Sequence, residues 1–236
     1  MSEERIVPNI LTSVSGLAKT GKSHFALSFP APIVIFNFDI GLEPILKKFA
    51  NKDVRIFEYP MPIMDSARGQ GFQKDLKGIW DKFIDDVRIT NEDTEVPTVV
   101  IDTWTAVYQI AQAARACELG QQCILKHQFG DVFARLRSIC HRTRIAGQNL
   151  VLTTYLKEKY VNDQPTGEMV LAGWGETEAQ VDVVLRIRRD TKIVPKEGKK
   201  NIIVAEIKDN RYDLDLNGYE LEMPDYETLI ALLGVG

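Results

Sequence analysis

The run Gly16-Leu17-Ala18-Lys19-Thr20-Gly21-Lys22-Ser23 constrains the fold of this 236-residue chain more than any other feature. Its spacing is G-x-x-x-x-G-K-S, and it stands between an apolar, β-branched stretch, Ile10 to Ser15, and a helix-compatible stretch reaching Phe29. A strand feeding a glycine loop that opens a helix lets backbone N–H groups curl around phosphate oxygens. The helix start adds partial positive charge, and Lys22 brings a mobile cation to the outer phosphates. Ser23 is then the expected magnesium ligand, and Gly16, Lys19, Thr20, Gly21, Lys22, Ser23 and His24 are the expected nucleotide contacts. A glycine turn with an accidental lysine is the competing reading, which the flanking pattern disfavours.

The rest of the chain alternates strand and helix signals. Ile33 to Phe38 reads as a fully buried strand ending in Asp39, followed by a helix near Glu43 to Ala50 and a strand from Val54 to Tyr59. Phe72, Leu76, Ile79, Trp80, Phe83, Ile84 and Val87 recur at helical spacing, and Thr98 to Asp102 is another buried strand closed by a carboxylate. A second amphipathic helix carries Phe129, Val132, Phe133, Leu136, Ile139 and Cys140 on one face and arginines on the other, with Gly147 placed to end it. Asn149 to Thr154 is the next strand, and Tyr155 to Glu178 reads as a long polar loop. Val181 to Arg188 and Ile202 to Lys208 read as a hairpin joined through a lysine-rich turn region, Asp190 to Asn201, and Asp225 to Leu233 is a terminal helix. The expected fold is a single α/β domain over residues 1–236: a mostly parallel central sheet flanked by helices, with a C-terminal antiparallel hairpin extension.

A phosphate cradle requires a carboxylate at the end of a neighbouring strand to hold magnesium, and Asp102 is that residue; capping the next helix is its alternative role. Thr103 follows it, so a group that orients water must come from elsewhere. Asp39 is the first candidate and Glu43 the reserve, with a helix cap as the competing role of Asp39. Guanine recognition is disfavoured because Asn51-Lys52-Asp53-Val54 lacks the final Asp of N-K-x-D.

Net charge is −4, yet Arg115 to Lys159 holds eight Lys/Arg against three acids and Arg186 to Arg211 nine against four. Solvated helix faces are the ordinary reading of such runs, and a polyanion-binding face is the other. Cys117, Cys123 and Cys140 have no C-x-x-C spacing, which suits reduced thiols. No apolar run approaches the roughly 20 residues of a membrane helix. The mixed charges of Met-Ser-Glu-Glu-Arg lack the pattern of a secretory signal, so a cytoplasmic protein with no membrane partner is expected.

In this order the parts resemble a RecA-type P-loop ATPase core, in particular the short phage-encoded RecA-like nucleotide-binding proteins associated with single-strand annealing. The likeness runs through Gly16 to Ser23, Phe36 to Ile45, Val99 to Asp102, Asn149 to Lys159 and Ala179 to Ile187. It implies ATP and Mg2+ as cofactors and DNA-stimulated hydrolysis, with Asp39 in the water-polarising position and Tyr155 where RecA places a phosphate-sensing Gln. It implies that two DNA-facing loops correspond to about Ala113 to Gly130 and Leu156 to Glu178, offering Lys126, Lys157, Lys159, Tyr160 and Trp174 to single-stranded DNA. Taken alone, Trp174 between two glycines reads as local packing. The resemblance further implies a homo-oligomer, ring or filament, in which Lys208 and Arg211 reach a neighbour's ATP, and a single-strand-binding protein as a further partner. The alternative is a P-loop ATPase or nucleotide-switch scaffold with no direct role in DNA pairing.

Overall fold

The computed structural model describes residues 9–39, 41–62, 69–194 and 198–235. Strand β1 (Leu11–Gly16) is buried along its whole length, as expected of a central parallel strand covered on both faces. After the glycine loop comes α1 (Lys22–Ala26), then β2 (Ile33–Asn37), α2 (Glu43–Leu46), β3 (Val54–Glu58), α3 (Gly69–Glu92) and β4 (Thr98–Asp102). The chain continues through α4 (Trp104–Glu118), α5 (Phe129–Ile145), β5 (Asn149–Val161), β6 (Gln164–Leu171) and α6 (Thr177–Gln180). It closes with β7 (Val183–Val194), β8 (Gly198–Asn210), β9 (Glu220–Glu222) and α7 (Tyr226–Leu232). The nine strands among the described residues form one sheet in the order β3-β2-β4-β5-β1-β7-β8-β9, with β6 paired to β5 beside this path.

Strands β3, β2, β4, β5, β1 and β7 are mutually parallel neighbours, whereas β8 and β9 add antiparallel pairs at one side. The expected α/β architecture and its C-terminal antiparallel extension are therefore observed. Alternation along each strand sends side chains to two separate cores. Val99 and Ile101 join Trp80, Phe83, Trp104, Leu136 and Trp174 on one face. Val100 faces the opposite core with Phe25, Phe29, Leu185 and Leu229. Helix α1 stops early, and Lys52 Nζ donates to the carbonyls of Leu27, Ser28 and Phe29 at 2.8–3.0 Å, satisfying groups the helix leaves open.

Two sequence expectations are corrected. Tyr155 to Glu178 is not a loop: β5 runs on to Val161 and turns back at Asn162-Asp163, both in the left-handed region (φ 50° and 60°), into β6. This turn chemistry suits a tight hairpin. Likewise, the expected loop Ala113 to Gly130 is shorter than its bounds: α4 persists to Glu118 and α5 starts at Phe129, leaving residues 119–128 as the connection. The hairpin of β7 and β8 is also longer than expected, strand pairing reaching Val194↔Gly198, and residues 195–197 of its turn lie outside the described residues.

Several cations of the two basic segments are paired with acids. Arg115 and Arg135 pair with Glu118, Arg137 with Glu176, Arg144 with Asp182, Arg188 with Glu220 and Lys192 with Glu222. Most of these partners come from distant sequence, so local charge counts overstate the field each face presents.

Candidate nucleotide site

The strand register brings Gly16, Asn37, Asp102 and Tyr155 to the carboxyl edge of the sheet: Gly16 aligns with Tyr155, and Asn37 with Asp102. A cavity of about 280 Å3 opens there. Residues 18–23 of the glycine loop form one wall, and Asn37, Asp39, Asp102 and Tyr155 face them. The carboxyl ends of parallel strands are the usual place for a ligand crevice in open α/β sheets.

The loop owes its course to two left-handed residues, Lys19 (φ 62°) and Gly21 (φ 102°), and to Thr20, whose hydroxyl donates to Leu17 O at 2.9 Å. Gly16 is required for another reason. A Cβ there would lie 2.4 Å from Ile187 O and 2.7 Å from Thr20 Oγ1, so no side chain fits between β7 and the loop. Helix α1 spans only 5 residues, so the loop's own N–H groups, more than a helix dipole, supply the positive lining.

Ser23 Oγ donates to Asp102 Oδ2 at 2.6 Å, and Thr153 Oγ1 donates to the other carboxylate oxygen. The hydroxyl and carboxylate expected to share magnesium thus meet directly, although β5 separates β1 from β4 in the sheet. Burial holds the Asp102 carboxyl above its ordinary range, opposed by the hydrogen bonds from Ser23 and Thr153. Lys22 is buried, and its Nζ donates to Gly16 O (3.1 Å) and Leu17 O (2.8 Å) while lying 4.3 Å from the centroid of the Tyr155 ring. Burial lowers its pKa, and Asp102 and Asp39 pull it back up.

Asp39 accepts a hydrogen bond from the Tyr155 hydroxyl. Burial, followed by this bond, raises the Tyr155 phenol pKa, so the phenol is a proton donor at neutral pH. Glu43, the reserve, is exposed at the start of α2 and lines no part of the cavity, whereas its neighbours Leu42 and Ile45 do. The site also contains groups the sequence reading did not assign. Asn37 is buried and donates to Glu58 at 2.8 Å, and Thr105 Oγ1 accepts from Tyr155 N, fixing the backbone beneath the phenol. A single Asn in an otherwise apolar strand was the available signal for Asn37.

The remaining expected site residues lie elsewhere. Lys208 and Arg211 stand at the far end of β8, where Asn210 pairs with Val183 and Val183 with Thr12, at the opposite end of β1 from the glycine loop. Lys208 pairs with Glu206, and Arg211 donates to Ala179 O at 3.0 Å, so neither completes this chain's own cavity. Lys157, Lys159 and Tyr160 are exposed on the β5–β6 hairpin, with Lys159 paired to Glu168, and Lys126 is exposed in the turn before α5. Trp174 is 1% exposed and stacks on Phe133 at 5.7 Å, which corrects its expected role as a platform for bases.

The donor set fits a magnesium nucleotide: a glycine loop whose residues 18–23 line the cavity, a buried cation in Lys22, and a hydroxyl–carboxylate pair in Ser23 and Asp102. Fold and site together define a P-loop nucleotide-binding domain. Residues 10–216 match the family model of the AAA domain, and the chain belongs to that family of P-loop ATPases. A comparison with curated proteins finds no match. Among the described residues no helix is long and apolar enough to cross a membrane.

Proposed function

We propose that the protein binds and hydrolyses Mg·ATP and that its nucleotide state is passed along β5 to the β5–β6 hairpin, which engages single-stranded DNA in a homo-oligomer. The observation that carries the nucleotide reading is the 2.6 Å contact of Ser23 with Asp102 on a cavity walled by the glycine loop. Bound Mg·ATP supplies the electrophilic terminal phosphorus, and the metal supplies neutralisation of its charge. Ser23 and Asp102 are the residues that would hold the metal. Lys22, released from the carbonyls of Gly16 and Leu17, offers its ammonium protons to phosphate oxygens. The Asp39 carboxylate, steadied by the Tyr155 hydroxyl, orients a water and accepts its proton.

Tyr155 is the last β5 residue paired with β1 before the strand leaves as the hairpin arm. One residue therefore touches Lys22 and Asp39 and begins the arm. The DNA role, including strand pairing or annealing, draws on the sequence resemblance and on the exposure of Lys157, Lys159 and Tyr160. A nucleotide-switch scaffold without DNA contact is the second reading. It is favoured by the hairpin's acids: Glu158, Asp163 and Glu168 accompany the two lysines, and Glu168 already pairs with Lys159.

Phosphate release measured against oligonucleotide concentration separates the two. Stimulation that weakens with salt and is lost in the Lys157→Ala, Lys159→Ala double variant supports DNA engagement. Turnover unaffected by oligonucleotide supports the scaffold.

A further inference from the structure

Asn37 is the one polar residue of β2, and it is 4% exposed. Strand alternation puts it on the face of Ile33 and Ile35, the side shared with α1, and the register sets it level with Asp102 on β4 and Glu58 on β3. It lines the nucleotide cavity, whereas Glu58 is exposed at the end of β3 and lines no part of it. The backbone around it is tied down. Tyr59 N donates to Asn37 O at 2.9 Å, and the Phe38 ring, turned to the opposite core, stacks on Tyr59 with centroids 4.5 Å apart.

The Asn37 side chain is held at both ends by partners of opposite demand. Nδ2 donates to Glu58 Oε2 at 2.8 Å, and Oδ1 accepts from Asp39 N at 3.3 Å. A carboxylate only accepts and a backbone N–H only donates, so an amide of this length serves both. Leucine could serve neither, and aspartate would face Glu58 with like charge. The bond to Asp39 N alone is the ordinary turn in which an Asn side chain binds the backbone two residues on. The bond to Glu58 has a different consequence: it fixes the rotation of the amide, and with it the point at which Asp39 N is held. Asp39 is thereby gripped at two places, its carboxylate by the Tyr155 hydroxyl and its N–H by Asn37.

We infer that Asn37 and Glu58 are positioning residues for ATP hydrolysis, Glu58 setting the Asn37 amide from outside the cavity and the amide setting Asp39 against the water it orients. The inference rests on the role proposed above for Asp39, and it extends the site to a side chain beyond the cavity wall.

Steady-state phosphate release by the full chain with Mg·ATP tests it, in Asn37→Ser, Glu58→Ala, Glu58→Gln and the Asn37→Ser, Glu58→Ala double variant. A serine hydroxyl can still accept from Asp39 N but is too short to reach Glu58, so Asn37→Ser keeps the turn and cuts the link. Asn37→Ser and Glu58→Ala are each expected to lower kcat about tenfold with KM for ATP within about twofold. Glu58→Gln, whose carbonyl oxygen still accepts from Nδ2, is expected to lose no more than about threefold. The double variant is expected to lose about tenfold, no more than either change alone, because both cut one chain of contacts. Wild-type kcat in Asn37→Ser and Glu58→Ala overturns the inference and leaves Asn37 a turn former. So does a loss of equal size in Glu58→Gln and Glu58→Ala, a loss carried in KM, or losses that multiply in the double variant. Glu58 is exposed, so its two variants decide the matter even where a change at buried Asn37 unfolds the chain. No release by the wild type overturns the hydrolysis reading itself, a distinguishable failure.

Discussion

Tyr155 donates its phenolic hydrogen bond to Asp39, a residue 116 positions earlier in the chain, while its ring lies over the ammonium of Lys22. The pair ties Asp39, the carboxylate proposed to orient water, to the strand that becomes the β5–β6 arm. Under the proposed function the tyrosine is a positioning residue, its hydroxyl acting on phosphate chemistry through Asp39.

Tyr155→Phe removes the hydroxyl but keeps the ring over Lys22. Steady-state kinetics should show kcat for ATP falling about tenfold with KM within about twofold, the pattern of a lost orienting bond. Tyr155→Ala should raise KM as well, because Lys22 then loses its cover.

Asp102→Asn should separate stability from activity. The Asp102 carboxyl titrates above its ordinary range in the folded chain, chiefly through burial. A carboxyl whose folded pKa exceeds its unfolded value takes up its proton first in the folded state, so stability rises as pH falls from that raised value toward about 3.9. Above that window the buried charge is a constant cost. The asparagine has no such charge, and the Ser23 and Thr153 hydroxyls can rotate to suit it. In the ligand-free protein, scanning calorimetry at pH 7 should show Tm higher by about 2–4 °C, the shift ~1 kcal/mol produces in a domain of this size. The difference should shrink as pH falls through the window, while Mg2+-dependent turnover drops about 10–100-fold at pH 7.

Gly16→Ala places a methyl group against the Ile187 carbonyl of β7. Backbone cannot give way as a flexible side chain can, so urea unfolding should show a loss of about 1–3 kcal/mol. ATP binding should weaken with it.

Trp174→Ala should behave as a core truncation. The indole packs with Phe133 and Trp104 in one of the two sheet-face cores, and its removal should cost about 3–5 kcal/mol in denaturant titration. Tyr160→Ala, on the exposed hairpin, should leave the unfolding midpoint nearly unchanged.

The parts of the site that were legible from sequence are those whose signal is local. Gly16 to Ser23 and the strand closing in Asp102 carry their chemistry within a few residues, and the structure places Ser23 against Asp102. The contact of Tyr155 with Asp39 depends on sheet order, which spacing along the chain does not encode. The β5–β6 hairpin was read as a loop because residues 157–161 and 164–168 are exposed on both faces, so no apolar alternation marks them as strand. Its one local signal was the Asn162-Asp163 turn. Glu43 and Trp174 show the opposite failure: plausible residue types, one turned to solvent beside the cavity and the other buried in the core.

Phosphate release from ATP by the purified full chain, with and without Mg2+ and beside the Lys22→Ala variant, bears most directly on the central claim. The account predicts magnesium-dependent release by the wild type and a loss of about a hundredfold or more in the variant. Undiminished release by Lys22→Ala, or no release by the wild type at saturating Mg·ATP, would contradict it.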